Sequence, residues 1–338
     1  MTSFPVDRSP PALTRFVSHA TGVPLDVTVD GDAVCIAAAG EGPRTRWRLR
    51  DGAGDAALSC TAAGADLDAH AHAALEAVTA LGRHRTRIAL PDAGTVERAV
   101  FWQQAAHWLP APHAPYPQHF TMTGARRHPQ RAPKPAGTVY RRGIPWLGRT
   151  LSFRTVEVDR DLPLVHRWMN DPDVNHFWQE AGDEARHRAY LAGVAGDPHT
   201  LALIGSFDHE PFGYFEVYWA KENRIAPFYD ADDFDRGWHV LIGEPSFRGK
   251  DFATAWLTSI SHYLFLSDPR TRRVVGEPRA DHAQQLRNLD KSGYAKVKEF
   301  DFPHKRAMLV MLLREHYFGG AYWWPRSDEA ITSIPSQS

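Results

Sequence analysis

The segment Arg248–Thr254 follows a strand-like run, Trp238–Ile242, and opens a helical pattern over Phe252–Leu266. A glycine in such a turn lets backbone N–H groups face an anion, which a helix N-terminus also favours. The segment lacks the GxxxxGK[ST] of a P-loop and the GxGxxG of a dinucleotide site. It therefore indicates either a phosphate-binding turn of another kind or a plain helix cap.

A histidine and a carboxylate lie on strands close to this turn. His239 belongs to the strand before it, and Glu277 ends the strand-like run Arg273–Glu277. A histidine can accept a proton near neutral pH, and a carboxylate can orient the histidine or take the proton itself. A core histidine bonded to a neighbour is the structural alternative.

The run Tyr214–Trp219 predicts a strand with two different faces. Tyr214, Glu216 and Tyr218 share one face, because side chains alternate along a strand. This polar face is expected to meet a ligand. The opposite face, which includes Trp219, is expected in the core.

The elements that position these residues run from Leu151 to Leu313. Their predicted order is β-α-α-β-β-β-α-β-α-β-β, which indicates a mixed sheet with helices on its faces. The helix Phe252–Leu266 includes His262, which is expected near the surface or a helix end.

A smaller α/β domain is predicted for residues 1–110. Short strand-like runs surround an Ala-rich helical pattern, Leu67–Leu81, and no motif in this part indicates chemistry. Seven prolines between Pro110 and Pro135 indicate a linker over 111–149. Residues 98–156 contain no acidic residue and many arginines, so the linker is either solvated or a basic arm for a phosphorylated ligand or partner. The aromatic tail, 317–338, is expected to dock on the N-terminal domain or to form a dimer contact.

The composition excludes several classes of protein. The 338 residues carry 39 Lys+Arg and 40 Asp+Glu, so the near-zero net charge argues against a nucleic-acid coat protein. Two cysteines, Cys35 and Cys60, exclude a disulfide framework and a CxxC metal site. With no apolar run of 18 residues and no secretory signal, we expect a cytoplasmic protein without membrane contact.

Several motifs, in one order, resemble the siderophore branch of the GNAT acetyltransferases, which includes the enzymes that acylate lysine in mycobactin assembly and N6-hydroxylysine in aerobactin assembly. The motifs are RGKDFA, with Asp251 at a usual glycine position, and WMNDP, EVYWAKE, YDAD, DRGWH and DPR. The resemblance implies a GNAT fold over 150–316, preceded by a smaller domain that is α/β or a degenerate GNAT-like half.

The resemblance also implies the roles of particular residues. His239 and Glu277 match the catalytic pair, although Glu277 stands where the mycobactin-type enzyme has an aspartate. Acetyl-CoA, with no metal, is the expected cofactor. Its expected ligands are Phe247, Arg248, Gly249, Lys250, Asp251, Phe252, Ala253, Thr254, Asn288 and Tyr294, and the Tyr294 hydroxyl could protonate the leaving sulfur.

The expected substrate is a small hydroxylamine with an α-amino acid end. Glu216 and Asp230 could bind an ammonium, and Lys221 or Arg224 a carboxylate. Aromatic side chains could wall the aliphatic stem, although core packing explains them as well. The substrate-binding set is Trp178, Tyr214, Glu216, Tyr218, Lys221, Tyr229 and Asp230.

The expected activity is acetyl-CoA-dependent N-acetylation of N6-hydroxylysine to a hydroxamate in siderophore biosynthesis. N5-hydroxyornithine, a hydroxylated diamine, unhydroxylated lysine and a longer acyl donor remain open. Acetylation of proteins or aminoglycosides and non-catalytic acyl-CoA binding are the alternatives from other classes. A homodimer and contacts with other pathway enzymes also remain open.

Overall fold

The computed structural model describes residues 13–324, except positions 21, 39–41, 43, 53, 63–66, 83, 91–93 and 112–114. Residues 325–338 of the predicted tail therefore lie outside the described residues. No helix in the described ranges is long and apolar enough to cross a membrane.

The N-terminal unit is a seven-stranded sheet whose strands follow one another in chain order. Its elements are β1 (Leu13–Ser18), β2 (Leu25–Asp30), β3 (Ala33–Ala38), β4 (Arg44–Asp51), β5 (Asp55–Ala62), α1 (Leu67–Leu81), β6 (Arg87–Leu90), β7 (Gly94–Glu97) and α2 (Arg98–Phe101). Strand β4 alternates charged, exposed residues with the buried Thr45, Trp47 and Leu49, so one face of the sheet packs on a core. Helix α1 connects β5 to β6, which are parallel. The smaller α/β domain is confirmed.

The basic stretch is mostly engaged within the protein. A hairpin of β8 (Phe120–Thr123) and β9 (Arg126–Pro129) lies against the larger unit. Arg126 donates to the carbonyl oxygens of Glu222 and Asn223, and Arg131 donates to both carboxylate oxygens of Glu222. These contacts tie the segment down, so it is neither a solvated linker nor a free arm.

The larger sheet begins at β10 (Thr138–Ile144), inside the segment 111–149 that its prolines indicate as a linker. Strand β10 pairs with β11. Its two consecutive arginines, Arg141 and Arg142, hid the strand from the sequence analysis because they suggest an exposed segment. Arg142 is 1% exposed and donates to the carbonyl oxygen of Trp323, so it behaves as a core residue. The linker boundary is corrected accordingly.

The eight-stranded sheet has the order β10-β11-β12-β13-β14-β15-β17-β16. Its other elements are β11 (Arg149–Thr155), α3 (Val158–Met169), α4 (Pro172–Trp178), α5 (Glu184–Gly196), β12 (Thr200–Phe207), β13 (Glu210–Trp219), β14 (Arg236–Ile242), α6 (Lys250–Ser267), β15 (Arg273–Gly276), α7 (Ala283–Lys291), β16 (Ala295–Phe302), β17 (Lys305–Leu313) and α8 (Arg314–Gly319). Short 3-10 turns occur at Ala105–His107, Ala226–Phe228 and Pro245–Phe247. The predicted mixed sheet is confirmed, with α4 as an additional helix that Asp171 caps through its side chain.

Strands β14 and β15 separate after a short parallel contact. They pair only at Arg236 with Val274 and at Gly237 with Val275. On its other edge, β14 stays paired with β13 as far as Ile242. The separation opens a wedge beside residues 238–242, and α6 begins just beyond the end of β14.

Tryptophans join the C-terminal tail to the N-terminal unit. The ring of Trp102 stacks between those of Trp108 and Trp323, with centroid distances of 4.5 and 4.4 Å. His262 lies below them at 0% exposure, where it bonds Tyr140 and the carbonyl oxygen of Trp102. The described part of the tail therefore docks within the chain, and the surface position expected for His262 is wrong because α6 is covered on this side.

Candidate active site

His239 lies between two carboxylates where the wedge opens. Its Nε2 is 3.0 Å from Glu277 Oε1, and its Nδ1 is 3.4 Å from Glu216 Oε2. Glu216 faces His239 because β13 and β14 pair these two residues directly. The His239 side chain remains 24% exposed, so a ligand can reach it.

Glu277 is buried and fully engaged. Tyr218 donates to its Oε2 over 3.0 Å, and Arg224 Nη2 donates to its Oε1 over 2.9 Å. Lys305 Nζ donates to the Glu277 carbonyl oxygen over 2.6 Å and lies 3.8 Å from Oε1. Glu277 thus orients His239 and favours the protonated imidazole, and both of its carboxylate oxygens have partners within the protein.

Two tyrosines hold the other carboxylate. Tyr190 from α5 and Tyr214 from β13 donate to Glu216 Oε1 over 2.5 and 2.9 Å. The expected pairing of Glu216 with a substrate ammonium differs from what the structure shows, because its oxygens already serve two hydroxyls and the imidazole.

The three groups shift one another's protonation. Burial opposes a charge on His239, but Glu277 and Glu216 outweigh it and raise the pKa of His239 to about 9. Burial opposes ionisation of Glu277, but His239, Lys305 and Arg224 outweigh it, so its pKa is lowered. Burial likewise opposes ionisation of Glu216, but His239 and the two tyrosines lower its pKa. At neutral pH the cluster is an imidazolium between two carboxylates.

Aromatic rings surround His239. The Tyr218 ring centroid is 4.8 Å from that of His239, and the Trp178 ring lies 6.4 Å from His239 and 6.0 Å from Tyr214. The structure thus brings together four of the seven predicted substrate residues: Trp178, Tyr214, Glu216 and Tyr218. Trp219, expected in the core, is only partly buried between two guanidinium groups.

The other three predicted substrate residues are engaged away from the imidazole or exposed. Lys221 donates to the carbonyl oxygen of Ala231, and Tyr229 donates to Asp235. The Asp230 side chain is exposed, and its carbonyl oxygen accepts from Arg273.

The turn before α6 presents an open helix N-terminus. The N-cap is Gly249, which has no side chain to cap the helix, and a Cβ added there would meet only Phe252, at 3.9 Å. Lys250, Asp251, Phe252, Ala253 and Thr254 form the first turns of α6. Backbone N–H groups here suit a pyrophosphate.

The side chains of Arg248 and Phe247, beside this turn, make contacts within the protein. Arg248 binds Asp173 and Asp171 over 3.0 and 3.4 Å, which connects the turn to the start of α4. Phe247 stacks on Phe207 at 5.5 Å. The turn therefore offers its backbone rather than a free guanidinium.

Asn288 and Tyr294 differ in availability. Asn288, on α7, is partly buried and accepts from Gln284. The Tyr294 hydroxyl bonds Trp238 and Ser261 over 2.9 and 2.7 Å, and the residue is 2% exposed. This placement corrects the expectation that Tyr294 protonates a leaving sulfur, because the hydroxyl is enclosed in the core.

Sequence reasoning missed Tyr190 and Lys305. Each reaches the cluster from an element distant in sequence, α5 or β17, and no local pattern marks either residue.

One group within the described ranges has metal-ligand chemistry: His128, His199 and Glu222. Arg131 binds both oxygens of Glu222, at 2.6 and 2.8 Å, and neutralises its charge. We therefore interpret the group as an ion-pair network that holds β9 against the larger unit.

Comparisons with known proteins place the chain among acyltransferases. The acetyltransferase (GNAT) domain family matches residues 157–302. The N(6)-hydroxylysine O-acetyltransferase of Escherichia coli is 42% identical over 245 residues, which cover 72% of this chain and 75% of that protein. A putative lysine N-acyltransferase of Schizosaccharomyces pombe is 42% identical over 225 residues, covering 66% of this chain and 67% of that protein. An N(5)-hydroxyornithine:cis-anhydromevalonyl coenzyme A-N(5)-transacylase of Beauveria bassiana is 45% identical over 195 residues, 56% of this chain and 43% of that protein.

Solved structures match about half of the chain. An uncharacterized protein from Bacillus halodurans is 28% identical with a TM-score of 0.50, covering 52% of this chain and 90% of that one. An aminoglycoside acetyltransferase solved with coenzyme A is 21% identical with a TM-score of 0.46, covering 49% of this chain and 96% of that one.

The chain therefore belongs to the GNAT acyltransferase family. Its matched relatives include acyltransferases named for hydroxylysine and hydroxyornithine, which confirms the resemblance to the siderophore branch.

Proposed function

We propose that the protein is a cytoplasmic acetyl-CoA-dependent N-acyltransferase that converts N6-hydroxylysine to its hydroxamate during siderophore biosynthesis. The observation that carries the proposal is the Glu216–His239–Glu277 cluster at the opening between β14 and β15. A relative named for hydroxylysine, 42% identical over most of the chain, supports this acceptor.

The residues present fit a coenzyme A thioester. Beyond Gly237, the edge of β14 that faces β15 is no longer paired with it. An extended pantetheine chain can lie along this free edge. The uncapped start of α6 follows that edge and offers backbone N–H groups to the pyrophosphate. When bound, acetyl-CoA supplies the electrophilic carbonyl.

His239 accepts the proton that the hydroxylamine nitrogen loses as the new N–C bond forms and the C–S bond of the thioester breaks, and this proton then neutralises the departing thiolate. Glu277 and Glu216 hold the ring in place and stabilise the imidazolium that results. An alkylhydroxylamine is less basic than an alkylamine, so it is largely uncharged at neutral pH and needs one base. The product is a hydroxamate, which binds ferric iron through two oxygens.

The test is thiol release from acetyl-CoA with N6-hydroxylysine, N5-hydroxyornithine, lysine and an aminoglycoside side by side. We expect the highest kcat/KM with hydroxylysine and a product that gives the coloured ferric hydroxamate complex. A colourless O-acetyl product would move the acylated atom from nitrogen to oxygen, in line with the name of the E. coli relative. Absence of turnover with every hydroxylamine would refute the proposal.

A further inference from the structure

A cavity opens at the end of β13, beside the proposed active site. Its lining includes Tyr218, Arg224, Asp197, His199 and Glu222, and the charge of Glu222 is balanced by Arg131. Tyr218 contacts Glu277 and packs against His239, so the cavity adjoins the reacting groups. It therefore lies where the far end of an acceptor would go.

Arg224 can bind an anion without releasing Glu277. Its Nε and Nη2 both donate to Glu277 Oε1, at 3.3 and 2.9 Å. Those bonds use two of the five N–H groups of a guanidinium. The Arg224 side chain is 48% exposed, so further donors are open to a ligand.

The charges around Glu277 also favour an anion. Arg224 and Lys305 balance the carboxylates of Glu216 and Glu277, so an anion beside Arg224 meets no net negative charge from these four groups even when His239 is neutral. Asp197 in the lining of the same cavity supplies a carboxylate for a neighbouring ammonium. A cavity with both charges suits a zwitterion.

The distances fit an amino acid. Arg224 Nη2 and His239 Nε2 both contact Glu277 Oε1, so they are at most about 6 Å apart. A carboxylate on the outer edge of the guanidinium would add about 3 Å, the length of one hydrogen bond. Extended hydroxylysine spans about 7 to 8 Å from its hydroxylamine nitrogen to its carboxylate carbon.

We propose that Arg224 binds the α-carboxylate of the acceptor, so that the enzyme selects hydroxylated amino acids over hydroxylated diamines. This inference rests on the proposed function.

The experiment compares N6-hydroxylysine with N-hydroxycadaverine, which has the same chain without the carboxylate. We expect wild type to favour hydroxylysine in kcat/KM. Arg224→Gln should lower kcat/KM for hydroxylysine about 10- to 100-fold more than for hydroxycadaverine, mainly through KM, because any effect through Glu277 is common to both acceptors. Arg224→Lys should restore part of the loss. Arg306→Gln, which changes an exposed arginine paired with Glu299, is the matched control.

The outcomes separate the two claims. Equal use of both acceptors by wild type would overturn the inference and leave the acyltransferase activity in place. An equal loss with both acceptors in Arg224→Gln would also overturn it, since Arg224 would then only position Glu277. Turnover of neither hydroxylamine would refute the proposed function itself.

Discussion

Replacement of Glu216 by glutamine tests whether His239 acts as the base. With a pKa of about 9, His239 is neutral in only about 3% of molecules at pH 7.5. A base must be neutral to accept a proton, so kcat/KM should rise with pH and level off above about 9. Glutamine keeps the shape of Glu216 and its acceptor oxygen for Tyr190 and Tyr214, but removes one negative charge.

The size of the effect follows from the geometry. A unit charge 3.4 Å from His239 Nδ1 contributes about 5 kcal/mol at an effective dielectric constant of about 20. The carboxylate charge is shared by two oxygens, and other charges remain, so a shift of about 1 to 3 pH units is expected. The midpoint of the kcat/KM profile should therefore fall from about 9 to between about 6 and 8.

The assay is thiol release from acetyl-CoA between pH 6 and 10, followed with a pyridyl disulfide. Titration of the substrate is common to both proteins, so the difference between profiles reports on the enzyme. Glu299→Gln, at an exposed glutamate that pairs with Arg306 and contacts none of the three cluster residues in the described hydrogen bonds, should leave the midpoint unchanged. An unchanged midpoint in Glu216→Gln, or a wild-type rate that falls as pH rises toward 9, would refute His239 as the base.

Three further predictions concern catalysis and stability. His239→Ala should lower kcat by about 10²- to 10⁴-fold while the circular dichroism spectrum stays native; near-normal turnover would assign the residue to structure. Burial lowers the pKa of His262 to about 3, so the unfolded chain binds a proton that the folded chain excludes, and stability should fall by about 2 kcal/mol from pH 7 to 5. Urea titration of wild type and His262→Gln measures this, and equal pH dependence in the two would contradict it. Trp323→Ala should cost about 3 to 5 kcal/mol of unfolding free energy because the ring is 1% exposed, whereas Phe177→Ala, at a ring 53% exposed, should cost far less; similar losses would count against tail docking.

Local patterns determined much of the larger unit. Alternation along residues 214–219 correctly separated the face of Tyr214, Glu216 and Tyr218 from the core face of Phe215 and Val217, because strand side chains alternate whatever the fold. The apolar spacing over residues 252–266 correctly predicted a helix, since these residues all lie within α6. The motifs identified the family because they stand in one order along the chain.

The polar residues of the linker show where local patterns failed. Arg142 and the prolines around it indicate an exposed segment, yet β10 is an integral strand of the larger sheet. Its burial depends on the carbonyl oxygen of Trp323, far along the chain. Single-segment composition carries no information about such a partner.

The sequence by itself determined the order of the elements from β11 to β17 apart from α4, the family, and the residue types that could do chemistry. Tertiary structure decided which of them meet: Glu216 and His239 come from two paired strands, Glu277 directly follows a third strand, and Tyr190 and Lys305 come from two further elements. It also decided the charge on His239, since a pKa depends on burial and on charges within a few ångströms. Those neighbours are set by strand pairing between distant segments, which spacing along one chain does not encode.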